Sequence, residues 1–168
     1  MRSQEKTRVR RVPSIVGLAA GIVLIAGAIH AGPNTAPNLS GEWKLNLSKS
    51  NYGSFPAPLG ATRKIVQSGL KLSMTTIQRG PKGEVTSQLN YTTDGKESVN
   101  PSPGGESKGS AQWIGDKLMI ESSREIQGTV LKQKEIWTLS ADGKTLMIDA
   151  HVSLPNGEFD VKQVFEKQ

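Results

Sequence analysis

From Gly41 onward the chain alternates between apolar and polar positions with a period of two. Trp43, Leu45 and Leu47 are separated by Lys44 and Asn46, and Leu70, Leu72 and Met74 by Lys71 and Ser73. Val85, Leu89 and Tyr91 share one face, with Thr86, Gln88 and Asn90 on the other. Leu118 pairs with Ile120; Leu146, Ile148, Ala150 and Val152 form a longer stripe, and Phe159, Val161 and Phe165 close the series. Successive side chains of a strand point to opposite faces, so this pattern predicts strands with one buried face and leaves no room for a helical period. Asp94-Gly95, Asp142-Gly143 and Asn156-Gly157 supply residues that tolerate the positive φ of a two-residue hairpin turn. Ten strands follow, near 41–47, 61–67, 70–79, 84–92, 95–99, 108–114, 117–125, 129–139, 145–153 and 158–166. Asn100–Gly109 (NPSPGGESKG) and Ser48–Gly60, rich in Pro and Gly, read as loops. Thr92–Glu97 (TTDGKE) echoes Ser140–Thr145 (SADGKT), which two Asp-Gly hairpins account for without a repeat. Short strands joined by tight turns predict an all-β domain, an antiparallel up-and-down barrel of about 8–10 strands or a sandwich.

The first 31 residues have a different character. Arg2, Lys6, Arg8, Arg10 and Arg11 precede an apolar run, Ile15–Ile29. That run is shorter than the roughly 20 residues that span a bilayer comfortably. The order is that of a secretory signal peptide over 1–31, with cleavage expected after Ala31; an uncleaved anchor is the competing reading. Residues 32–40 (GPNTAPNLS) then form a flexible lead-in and 41–168 the β domain. The protein is expected to be secreted or periplasmic, touching a membrane only through that segment if it is left uncleaved.

Charge reinforces the division. The net charge is +6, but residues 1–31 hold five basic side chains and one acidic, leaving 16 against 14 in the remainder. With no basic run to track a phosphate backbone, nucleic acid is not an expected partner. The chain has no cysteine, which removes thiol catalysis and Cys-ligated metals; about 137 residues suffice for a core without disulfides.

Gly41-Glu42-Trp43-Lys44-Leu45 resembles the G-x-W opening of the lipocalins and the G-x-W-K-L opening of the fatty-acid-binding proteins, both calycin barrels. The stretch Glu135–Leu146 also resembles a hairpin of bacterial secreted proteins with that barrel. The resemblance implies a barrel closed at one end by Trp43 and an interior that takes a small apolar or amphipathic ligand. It departs from the families twice: no late Arg in Val161–Lys167 packs over the Trp, and Ser48–Gly60 is unsuited to a two-helix lid. Trp43, Leu72, Met74, Tyr91, Ile120, Arg124 and Phe159 are the candidate interior residues.

Little else carries chemistry. Gly105-x-Ser107-x-Gly109 matches a nucleophile-elbow pattern but lacks the strand-turn-helix setting that the chemistry requires. Asp149 and His151 are close enough along a strand to touch, yet fall opposite its apolar stripe, toward solvent. Arg124 falls in phase with Leu118 and Ile120; a buried cation there requires a partner or an anionic ligand group, whereas a bulge or a hydrated place at the barrel mouth is the simpler expectation. Gln112 and Gln163 are further interior polar candidates. No cofactor or metal is implied, and no nucleophile–base set suggests an enzyme. Two readings remain: an exported barrel that binds a small apolar or amphipathic molecule, and a filled barrel that works as an envelope interaction module.

Overall fold

In the computed structural model, residues 36–102, 105–126 and 128–168 are described. The leading basic and apolar segment, and its expected cleavage point, lie outside them. The described residues form ten antiparallel strands: β1 Gly41–Leu45, β2 Gly60–Ser68, β3 Lys71–Gly80, β4 Gly83–Thr92, β5 Asp94–Ser102, β6 Gly105–Ile114, β7 Lys117–Ile126, β8 Thr129–Leu139, β9 Thr145–Leu154 and β10 Gly157–Lys167. Their order in the single sheet is β4-β3-β2-β1-β10-β9-β8-β7-β6-β5. The sheet is an up-and-down meander in which the first strand pairs with the last, Trp43 opposite Lys167. Its two ends, β4 and β5, touch without forming a ladder, so the barrel is nearly closed along one seam.

Strand boundaries follow the alternation closely, with two corrections. The first strand, expected to reach residue 47, stops at Leu45, and Leu47–Lys49 form a single 3-10 turn. The expected loop at 100–109 is partly strand, because β5 runs on to Ser102 and β6 begins at Gly105. Pro101 is tolerated because β5 is an end strand, where a missing N–H costs the sheet little. The echoed turns share one construction. Asp94 accepts from the Thr92 hydroxyl at 2.7 Å and Asp142 from the Ser140 hydroxyl at 2.6 Å, each also accepting the backbone N–H two residues on.

One end of the barrel is a packed apolar core. Trp43, Trp137, Phe165, Ile65, Leu72, Leu118, Leu146 and Ile148 are almost fully buried there. Leu39, in the stretch read as a lead-in, belongs to this core and accepts a 3.0 Å hydrogen bond from Trp43 Nε1 on its carbonyl. Lys167 takes the role that the resemblance gives to a late Arg: its Nζ lies 5.3 Å from the centre of the Trp43 ring. Gly41 is needed beneath it, since φ is +146° and a Cβ would come within 2.8 Å of Lys167 Cε. The G-x-W opening is thus a three-part closure of Gly41, Trp43 and Lys167. Gly109 meets a similar constraint on β6, where a Cβ would stand 2.6 Å from the Glu121 carbonyl oxygen.

Candidate functional site

Inward-facing positions follow from register. Across the sheet Tyr91 lies opposite Leu72, Thr76 opposite Arg63, Ile120 opposite Glu135, and Arg124 opposite Ser107 and Leu131. The row changes character along the barrel axis. Below are the tryptophans and leucines; above them the interior is polar, holding Arg63, Arg124, Glu135, Gln133, Tyr91 and a set of serines.

Arg63 sits at the boundary. Its guanidinium carbon is 4.9 Å from the ring centres of both Trp137 and Phe165, and Nε donates to Thr76 Oγ1 at 3.0 Å. Nη1 is buried and has no partner. Burial lowers its pKa, opposed first by the negative charge of Glu135. Glu135 accepts from Trp137 Nε1 at 2.8 Å and from Gln133 Nε2 at 2.6 Å, which fixes both carboxylate oxygens. Burial, helped by Glu135, pushes the Tyr91 phenol up to about 12 against the pull of Arg63 and Arg124. Tyr52, from the loop after β1, points toward Arg63 and Gln163, and burial raises its pKa. Neither its hydroxyl nor Gln163 Oε1 completes a hydrogen bond, however.

Above this cluster lies a cavity of about 80 Å³, bounded by Met74, Leu89 and Ile120, by Tyr91, Arg124, Gln133 and Glu135, and by Ser87, Pro101, Ser102, Ser107 and Ser122. Arg124 Nε and Ser102 Oγ are buried here without partners. Unpaired buried donors are uncommon because each forfeits the hydrogen bonds it made to water. Larger concavities, such as one of about 610 Å³ beside Lys108, Lys132 and Lys134, lie on the open outer face of the sheet. The unsatisfied groups favour the interior as the site.

The seven residues expected in the interior do face inward, but they divide. Met74, Tyr91, Ile120 and Arg124 line the cavity. Trp43 and Leu72 belong to the packed end and line none of it, because core neighbours fill the space around them. Phe159 lies toward the other end of β10, its ring 5.5 Å from Phe55. For Arg124 only half of the simpler expectation falls: β7 passes it without a bulge, but the side chain is part-exposed, as a place toward the barrel mouth leaves it. Gln112 points outward, since Ala111 and Trp113 take the inner face of β6, whereas Gln163 is interior. Ser107 lies on strand β6 and lines the cavity, which is not the setting of a nucleophile elbow. His151 is exposed as expected, but its partner is Asp160, at 2.8 Å across the β9–β10 ladder, and not Asp149. That contact raises its pKa.

Sequence reading missed Arg63 and Glu135, although both keep the phase of apolar neighbours: Arg63 with Ile65, Glu135 with Trp137. Tyr52 and Asn100 lie in stretches read as loops, where no period exists to place them.

No protein-family model and no curated protein matches this sequence. Solved structures do. Zebrafish ileal bile acid-binding protein, complexed with cholic acid, superposes with a TM-score of 0.55 at 21% identity, over 77% of this chain and 98% of that one. A secretory abundant heat soluble protein from Ramazzottius varieornatus gives 0.58 at 16%, over 77% and 94%. A variant of the fluorescent protein UnaG gives 0.52 at 15%, over 77% and 95%. The chain therefore shares the up-and-down β-barrel fold of these structures, the fold that the G-x-W opening implied.

Proposed function

We propose that this domain is an exported carrier or sensor that holds a small amphipathic monoanion inside the barrel. The observation that carries the reading is the charge balance of the interior: among the described residues, Arg63 and Arg124 face a single carboxylate, Glu135, and each arginine keeps a buried N–H unpartnered. One surplus positive charge with free donors is complementary to one carboxylate-like group, while Met74, Leu89 and Ile120 meet the apolar part. The fold it shares with a bile acid-binding protein agrees with this reading without assigning it. Export rests on the basic and apolar order of residues 1–31. No catalytic role is needed.

The test is native mass spectrometry and fluorescent-probe displacement with a graded panel of carboxylates, cholate included, beside uncharged alcohols of equal size. Carboxylates are expected to bind, the alcohols at least tenfold more weakly, and Arg124→Gln to abolish that preference. Failure of the whole panel would overturn the reading.

A second reading draws on the small cavity, which holds about two or three waters against the roughly 300–1,000 Å³ of ordinary ligand pockets. On the outer face Leu47, Leu59 and Ile77 border a groove of about 460 Å³. A filled barrel that uses such a surface is an interaction module. Capture of an envelope protein lost on Leu59→Glu, with no small-molecule binding, would favour it.

A further inference from the structure

Among the described residues, consecutive strands pair throughout the sheet except at one step. From β4 to β5 the ladder is missing, and Asn100 stands in for it. Its side-chain Oδ1 accepts from the Asn90 backbone N–H at 2.6 Å, and Nδ2 donates to the Asn90 carbonyl at 3.1 Å. A carboxamide has one donor edge and one acceptor edge, so it satisfies both polar groups of a strand residue as a facing residue would. Asn100 is 2% exposed, and it sits between Ser87, Leu89 and Tyr91 of β4 and Pro101 and Ser102 of β5, all of which line the cavity. The cavity therefore lies directly behind this clip. The opposite end is closed by Trp43 and its neighbours, and the loop after β1 brings Tyr52 over the interior and Phe55 onto Phe159.

We infer that the β4–β5 seam is the route by which the ligand reaches the cavity, and that Asn100 is the residue that governs its passage. Parting two strands that share a ladder breaks a row of hydrogen bonds; parting β4 from β5 at the cavity breaks the pair made by one side chain. The same swing carries Ser87, Leu89, Pro101 and Ser102 apart, enlarging a space too small for most amphiphiles. Asn100 is thus an access-controlling residue: it changes the rates of binding and release more than the equilibrium between them. The inference rests on the proposed binding of an amphipathic monoanion and concerns only how that ligand enters.

The experiment uses the full chain and dansylated undecanoic acid as probe, with stopped-flow association and dissociation and with hydrogen exchange at the Asn90 amide. Asn100→Ala removes both halves of the clip; Asn100→Asp keeps the acceptor and loses the donor. Exchange at Asn90 is expected to rise at least tenfold in Asn100→Ala and less in Asn100→Asp. Both probe rates should rise at least fivefold in Asn100→Ala, with the dissociation constant within threefold of wild type. Phe55→Ala, which loosens the mouth, should leave both rates unchanged. Unaltered Asn90 exchange, unaltered probe rates despite faster exchange, or acceleration by Phe55→Ala alone would each overturn the route. A probe that fails to bind wild type would instead remove the binding reading, and the route with it.

Discussion

The two ends of the barrel interior are built from the same ten strands and differ in almost every other respect. At the closed end, inward positions carry Trp43, Trp137, Phe165, Leu118 and Leu146, with the polar atoms of the tryptophans individually satisfied by Leu39 and Glu135. Toward the other end, the same inward phase carries Arg124, Gln133, Ser107 and Ser122 around unfilled space, with donors left over. Dispersion and burial fix the first region. The second is held in place by the first and contributes little stability of its own, so its residues are free to be chosen for something other than packing. Arg63 lies on the border and belongs to both, stacked on Trp137 and Phe165 while its Nε donates to Thr76 and its Nη1 is buried without a partner.

Substitutions test how separate the regions are. The largest effect is expected for Trp137→Ala, which removes a buried indole, a partner of Glu135 and half of the Arg63 stack. It should cost about 3–5 kcal/mol in chemical denaturation, as for other buried aromatics. Next, Glu135→Gln removes the one negative charge facing two arginines, for a loss of about 2 kcal/mol, less than a fully buried pair because the site keeps some solvent access. Adding Arg63→Met should restore most of that, and a double-mutant cycle measures the coupling. If the two changes simply add, the regions are independent and the border is only geometric.

Alkali separates the ends in another way. Tyr91 titrates at about 12 when folded, above the unperturbed value of 10.0. A raised folded pKa for an acid means the unfolded chain ionises first. The Tyr91 contribution to stability should therefore be constant below pH 10 and fall between 10 and 12 by up to about 2 kcal/mol. Tyr91→Phe should flatten that decline; a decline that persists in the variant would place its origin elsewhere. The smallest effect is expected at Lys167. Its replacement by Ala loses a cation–π contact worth about 0.5–1 kcal/mol where the ammonium is part-solvated, and Arg at this position should recover it in thermal denaturation.

This contrast also explains what could be read from the sequence. The closed end announced itself, because Trp43, Leu72, Leu118, Leu146 and Ile148 repeat every second residue and only a strand with a buried face uses that pattern. The polar end broke the same pattern with Arg63, Arg124 and Glu135. An alternation rule treats a charge on the inner phase as noise, since burial usually expels charge. Arg124 was noticed because Leu118 and Ile120 lie shortly before it on the same phase; Arg63 was not, although Ile65 and Ala61 flank it in the same way. Lys167 is not legible in advance because the resemblance gives its role to an Arg. Asn100 was hidden by Pro101 and Pro103, which suggested a loop where an end strand runs beside an open seam.

The placement of that seam has a consequence for how the chain is threaded. The one step without a ladder joins neighbours in sequence, while β1 and β10, the most distant strands in the chain, are paired from Trp43 to Leu45. Gln168 N–H donates to the Glu42 carbonyl at 2.9 Å, so the two ends of the barrel sequence already meet. Joining them by a short linker and opening the chain in the turn at Thr93 would give the order β5 to β10 followed by β1 to β4. In that circular permutant each strand would ladder only with the one before and the one after it. The native chain must instead close its longest loop to seat its first strand, and loop closure of that kind slows folding. The barrel is a simple ribbon in which β1 and β10 meet in the middle.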